Sequence, residues 1–194
     1  MKHLKHYLTV LGISSLIGIN IAQAASYVIV QVGRAKSHPI HAWVRNEKKY
    51  LPARRVAAGI KGDVTSAFQV GVEVGAQKYK KKSKLYGASK MSSKRWSLDE
   101  LVVADVYLTR NIDIIAKAGV AYVVPKAQMD FIQDNGKTTT QRLKTSPYFV
   151  PKGVLGVGYN VSKKINVNFS VEHEFAKKGQ QSVNSLLMGV KYHL

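Results

Sequence analysis

From about residue 26 onward the chain alternates apolar and polar residues at every second position, and it does so in eight separate segments. In FQVGVEVGAQKY, Phe68, Val70, Val72, Val74 and Ala76 share one side, and Gln69, Gly71, Glu73, Gly75 and Gln77 share the other. In INVNFSVEHEF, Ile165, Val167, Phe169, Val171 and Phe175 oppose Asn166, Asn168, Ser170, Glu172 and Glu174. In SLLMGVKYHL, Leu186, Met188, Val190, Tyr192 and Leu194 oppose Gly189, Lys191 and His193. Successive side chains of an extended strand point to opposite faces, so each segment predicts a strand with one apolar and one polar face. The helical spacing i, i+3, i+4, i+7 is missing from these segments. Further strands are predicted near 26–34, 53–63, 94–108, 112–124 and 148–161. In 112–124, Asp113, Lys117 and Gly119 oppose Ile112, Ile114, Val120 and Tyr122. The 94–108 segment leaves its faces open, because Leu101 and Val103 fall on the same side as Asp99 and Asp105.

The connections alternate in length. Short ones lie at Val64–Ala67, Thr109–Asn111 and Ser162–Lys164, and long ones at about 35–52, 80–93, 125–147 and 176–182. This is the pattern of an antiparallel up-and-down meander, in which membrane barrels keep their short turns on the periplasmic side. A soluble barrel with its apolar face inside competes with a membrane barrel turned inside out. The polar face decides between them. It carries Arg55, Lys61, Lys117, Lys152 and Lys191 against Glu73, Asp99, Asp105, Glu172 and Glu174, a neutral balance in a chain of formal net charge +19. A solvated face has no reason to be neutral here. A narrow lumen has one, since an unpaired charge withdrawn from water costs several kcal/mol. The expected fold is therefore all-β: an eight-stranded antiparallel up-and-down transmembrane β-barrel. Its lumen is expected to hold an ion-pair network of Glu73, Asp105, Lys117, Lys152, Glu172 and Lys191.

The N-terminus predicts where the chain goes. Met1-Lys2-His3-Leu4-Lys5-His6 is basic, Tyr7–Ile21 is largely apolar, and Ala22-Gln23-Ala24 offers small residues at a cleavage site. That order is a secretory signal, short of the roughly 20 apolar residues of a membrane span. Residues 1–24 are thus expected to be a signal peptide cut after Ala24 or Ala25, and 25–194 a single barrel domain. The 30 Lys and Arg against 11 Asp and Glu would otherwise suggest nucleic acid, but an exported chain argues for no nucleic-acid partner. With no cysteine, disulfides, thiolate metal sites and cysteine nucleophiles are excluded.

The units LVVADVYLTRNIDIIAKAGVAYVV, GVLGVGYNVSKKINVNFSVEHEF and SLLMGVKYHL resemble the OmpA-like family of small outer-membrane barrels, over nearly the whole of Tyr27–Leu194. The resemblance implies a barrel-only member, without the peptidoglycan-binding domain, in the outer membrane of a Gram-negative bacterium and exported through the Sec pathway. It also implies an assembly signal for the outer-membrane barrel assembly machinery at Gly189, Tyr192 and Leu194. In that pattern Leu187 stands where a polar residue is usual, and Leu194 where Phe is usual.

No catalytic residues, metal site or cofactor are expected. In Glu172-His173-Glu174, alternation turns His173 away from its two neighbours, so the three cannot converge. His38 and His41 have no further ligand close by in sequence. Aromatic residues are expected to form two bands: Trp96, Tyr148, Phe149 and Phe175 near the long loops, and Tyr107, Tyr159 and Tyr192 near the periplasmic ends. The functional signal lies in the loops, above all in Lys78, Lys80, Lys81, Lys82 and Lys84. Such a cluster fits contact with polyanions. One expectation is packing against outer-membrane lipid and lipopolysaccharide, in support of envelope integrity. The alternative is an adhesin for an acidic host-surface polysaccharide or protein.

Overall fold

A computed structural model describes residues 24–37, 50–86, 89–132, 138–175 and 182–194. Residues 1–23, with the expected leader, and His38 and His41 lie outside the described residues. Nine strands are described: β1 (Ala25–Ser37), β2 (Leu51–Thr65), β3 (Phe68–Tyr86), β4 (Ser89–Tyr107), β5 (Ile112–Ile132), β6 (Thr138–Leu143), β7 (Tyr148–Asn160), β8 (Ile165–Glu174) and β9 (Val183–His193). All pair antiparallel. The order β4-β3-β2-β1-β9-β8-β7-β5 is closed by β4 pairing with β5, so eight strands form a closed barrel. Closure leaves no unpaired edge in the wall, the condition for a β-structure to cross a membrane.

The barrel is inverted relative to a soluble one. Each wall strand presents apolar side chains outward, among them Val30, Val56, Val74, Val102, Ile114, Leu155, Phe169 and Met188, all exposed. The alternate positions are buried and largely polar or charged. This is the period-two pattern of a transmembrane β-barrel. Glu100 is the one acidic side chain among the described residues on the outer face of the wall, between Leu98 and Val102 on β4.

The structure departs from the sequence expectation in two places. The long connections at 80–93 and 125–147 are mostly strand. β3 and β4 stay paired out to Tyr86↔Ser89, and β4 and β5 out to Ser89↔Phe131. The ninth strand, β6, pairs with this outer part of β5, from Ala127↔Leu143 to Ile132↔Thr138. Three wall strands, β3, β4 and β5, therefore continue past the rim, and β6 joins them to make a four-stranded upright sheet. Alternation failed to reveal it because the ladder shifts register between Tyr79 and Lys82, leaving Lys80 and Lys81 both exposed. A bulge of one extra residue breaks the period by which a strand is read.

The second departure concerns the aromatic bands. Phe149 and Phe175 at one end, and Tyr159 and Tyr192 at the other, face outward. Tyr107 instead turns inward, where its hydroxyl donates to Gln69 Oε1 at 2.8 Å. Tyr148 packs against the interior cluster of Ala121, Val123 and Val150. The open faces of 94–108 are also settled: Leu101 and Val103 are interior alongside Asp99 and Asp105.

Candidate functional site

Among the described residues the lumen contains six fully buried acids, Glu73, Asp99, Asp105, Asp113, Glu172 and Glu174, and five buried bases, Arg55, Lys61, Lys117, Lys152 and Lys191. All but Asp113, which accepts from Asn166 Nδ2 at 2.8 Å, are joined in ion-paired tiers. In the middle, Glu73 accepts from Lys117 Nζ at 2.7 and 2.8 Å and from the Tyr27 hydroxyl at 2.8 Å, and meets Arg55 Nη2 at 2.9 Å. Arg55 is also bound to Asp99 and donates to Gln31 Oε1 at 3.2 Å. Lys152 bridges Asp99 at 2.9 Å and Glu172 at 3.1 Å and donates to Gln77 Oε1 at 2.8 Å. Toward the short-turn end, Asp105 holds Lys61 at 2.8 Å and Lys191 at 3.1 Å. Toward the other end, Glu174 binds Arg95, Ser97 and the Tyr79 hydroxyl. All six lumen residues expected from the sequence lie inside, and each has an oppositely charged partner.

Small residues make these contacts possible. A Cβ on Gly75 would sit 2.5 Å from Arg55 Nη2 and 2.7 Å from Asp99 Oδ1. Apolar tiers complete the filling: Ala35, Ala53, Tyr79, Val183 and Leu187 form one cluster near the long-connection end. An eight-stranded barrel is just wide enough for its side chains to fill, and this interior is a packed core. Sequence patterning marked Arg55, Asp99 and Glu174 as polar-face residues without assigning which side chains they meet. It placed Gln77 on the same face but did not single out Tyr27, Tyr79 or Arg95 as lumen residues. Their parity on the strands placed them inward, but only the closed ring brings them to a carboxylate.

Glu172 and Glu174 point into the lumen, while His173 lies on the outer face beside Asn184 and stacks edge-on against Phe175 at 4.3 Å. The run Glu172-His173-Glu174 therefore presents no converged acid–base group. No cluster of three metal-ligating side chains occurs among the described residues.

The basic residues gather at the long-connection end. Lys78 stands at the rim, exposed and paired across to Trp96. Lys80 and Lys81 are exposed at the bulge above it. Lys82 and Lys84 continue the strand opposite Ser93 and Met91, and their side chains lie outside the described residues. Lys90, Lys94, Lys126, Arg142 and Lys144 are exposed on the same upright sheet and its exit. The cluster thus belongs to a protruding sheet, not to a loop.

At the C-terminal strand, Tyr192 and Leu194 face outward, 40% and 72% exposed. Gly189 lies inward, where a Cβ would come within 2.3 Å of the Val30 carbonyl oxygen on β1. Gly189 is therefore required where β9 and β1 close the barrel, whatever else reads it.

No family model matches the chain, and no curated protein matches it by sequence. Solved structures do match its fold. Neisserial surface protein A aligns with a TM-score of 0.59 at 15% identity, over 87% of this chain and 97% of that one. Ail, the attachment invasion locus protein of Yersinia pestis, aligns with a TM-score of 0.57 at 10% identity, over 89% and 99%. A second structure of Ail, in complex with the heparin analogue sucrose octasulfate, aligns with a TM-score of 0.56 at 9% identity, over 89% and 99%. At these identities the likeness is one of fold: small barrels of the outer membrane.

Proposed function

We propose that this chain is a non-catalytic outer-membrane protein that supports envelope integrity by packing its basic outer end against lipopolysaccharide. The observation that carries the reading is the separation of charge within one molecule. Every buried charge of the barrel but Asp113 has an oppositely charged partner inside, whereas most of the exposed basic excess stands at the long-connection end. Lysines held near an anionic membrane surface contribute about 1 kcal/mol each. Lipopolysaccharide carries phosphates at high density, and Lys78, Lys80, Lys81, Lys82 and Lys84 are the residues proposed to meet them. In this reading residues 1–24 are the Sec signal, the short turns lie in the periplasm, and the assembly machinery reads Gly189, Tyr192 and Leu194.

The test is genetic and biochemical together. Cells lacking the protein are expected to leak a periplasmic marker and to admit bulky hydrophobic antibiotics. Wild-type chain restores the barrier; a chain with the five lysines changed to Gln inserts but fails to restore it. Full restoration by the Gln variant would overturn the reading.

A second reading is favoured by the upright sheet itself, which carries lysines beyond the rim, and by the sulfated ligand bound to a barrel of the same fold. Here the protein is an adhesin for acidic host polysaccharide or protein. It predicts loss of cell-surface attachment in the Gln variant with the permeability barrier intact.

A further inference from the structure

The upright sheet has two faces, and the one continuous with the lipid-facing wall carries an unusual row. Lys94 on β4 and Lys126 on β5 are direct cross-strand partners. Both are exposed, and neither has a carboxylate within ion-pair distance among the described residues. Side chains so paired have Cβ atoms roughly 4.5–5.5 Å apart, and like charges in that position destabilise the sheet. The row continues on both sides. Lys78 pairs with Trp96, two residues from Lys94, and Arg142 pairs with Gln128, two residues from Lys126. Four adjacent strands therefore set four exposed cations side by side on one face.

The surroundings locate the row. One pair nearer the membrane, on the same face, Trp96 opposes Val124; Leu98 and Tyr122 follow, with the Tyr122 ring tilted against that of Phe149 at 4.9 Å between centroids. Aromatic side chains of this kind mark the membrane–water boundary. Two pairs farther out, Lys90 opposes Asp130, so the same face is charge-complementary where it has left the boundary. Repulsion is confined to headgroup depth. Cations aimed away from the membrane would serve a soluble ligand; these stand directly above apolar wall.

We infer that Lys78, Lys94, Lys126 and Arg142 form a lateral site for a phosphate borne on a lipid whose acyl chains lie along the wall below. The inference rests on the lipopolysaccharide reading above and deepens it by assigning the ligand group and its place. The phosphate enters between Lys94 and Lys126 and converts their repulsion into a shared contact. Arg142 supplies a planar fork suited to phosphate oxygens, and Lys78 a mobile point charge.

The experiment uses the refolded full chain in phosphatidylcholine nanodiscs, with or without diphosphoryl lipid A, and measures the thermal unfolding midpoint. Binding is read by native mass spectrometry against dephosphorylated lipid A and against soluble sucrose octasulfate. The variant is Lys94→Gln/Lys126→Gln, with Lys163→Gln/Lys164→Gln in the opposite turn as control. Without lipid A the variant should unfold at or above the wild-type midpoint, because a repulsion is gone. With lipid A it should unfold below it, and lose at least tenfold in lipid A affinity, while the control behaves as wild type. A variant that binds lipid A as the wild type does would overturn this site and leave the wider reading standing. Wild-type chain that fails to prefer diphosphoryl over dephosphorylated lipid would overturn both. Loss of sucrose octasulfate binding with lipid A binding retained would assign the row to a soluble polyanion and overturn the lipid site.

Discussion

Lys191 on β9 and Asp105 on β4 meet at 3.1 Å across the lumen, from strands on opposite walls of the eight-stranded ring. They are 86 residues apart in the chain. Such a contact exists only once the barrel has closed, and Lys61 completes it from β2 at 2.8 Å. The ion pairs of the lumen therefore fasten the ring across its diameter as well as around it.

Removal of a carboxylate should cost most where its cation has no second one. Lys117 reaches only Glu73 among the described carboxylates. Glu73→Leu is expected to lower stability by about 3–5 kcal/mol, the cost of an uncompensated buried charge. Glu172→Leu should cost less, because Lys152 keeps Asp99 and Gln77, and Arg55 keeps Asp99 and Glu73. Urea unfolding of both variants in lipid vesicles checks the order.

Room for the central tier comes from Gly75. In Gly75→Ala the added methyl group must displace Arg55 or Asp99, both of which it would approach within 3 Å. A loss of roughly 1–3 kcal/mol is expected from overpacking. The same substitution at Gly153 meets only Phe175, at 3.6 Å, and should be close to neutral. Unfolding midpoints of the two variants make the comparison.

On the outer face the signs reverse. Val74, 60% exposed on the wall, should resist a charge: Val74→Arg is expected to cost about 2–4 kcal/mol near mid-bilayer. Glu100 is already an acid on that surface, and Glu100→Leu should raise the midpoint in vesicles. In detergent-free aqueous buffer with the chain unfolded, neither substitution has an environment to sense, so the effect must track the lipid.

Orientation can be read with single cysteines, since the chain contains none of its own. Ser146 is exposed between β6 and β7, and Ser162 is exposed in the turn between β7 and β8. A membrane-impermeant maleimide should label Ser146→Cys on intact cells and Ser162→Cys only after the outer membrane is permeabilised.

Tyr192→Ala and Leu194→Ala should lower the yield of assembled barrel in cells while leaving refolding in detergent unchanged, since both side chains face outward. Gly189→Ala should impair both, because its Cβ would collide with the β1 backbone. Heat-modifiable mobility in gels reports the folded fraction in each case.

Local alternation carried the wall. A strand's side chains point to opposite sides by covalent geometry alone, so Val74 outward and Glu73 inward were legible from their neighbours in sequence. The balance of charge on the inner parity likewise exposed the inversion of the barrel. What alternation cannot encode is distance between strands. The pairing of Lys191 with Asp105 and the sharing of Asp99 by Arg55 and Lys152 depend on which strands close the ring and with what stagger. The upright sheet was hidden for a local reason: two consecutive exposed lysines at a bulge read as loop, although hydrogen bonding carries β3 on to Tyr86. Lys94 and Lys126 became neighbours only through the register of β4 on β5. The sequence by itself therefore determined the period, the two faces and the number of wall strands. Tertiary structure alone decided which charges meet, because pairing across a closed barrel is set by register between strands distant in the chain.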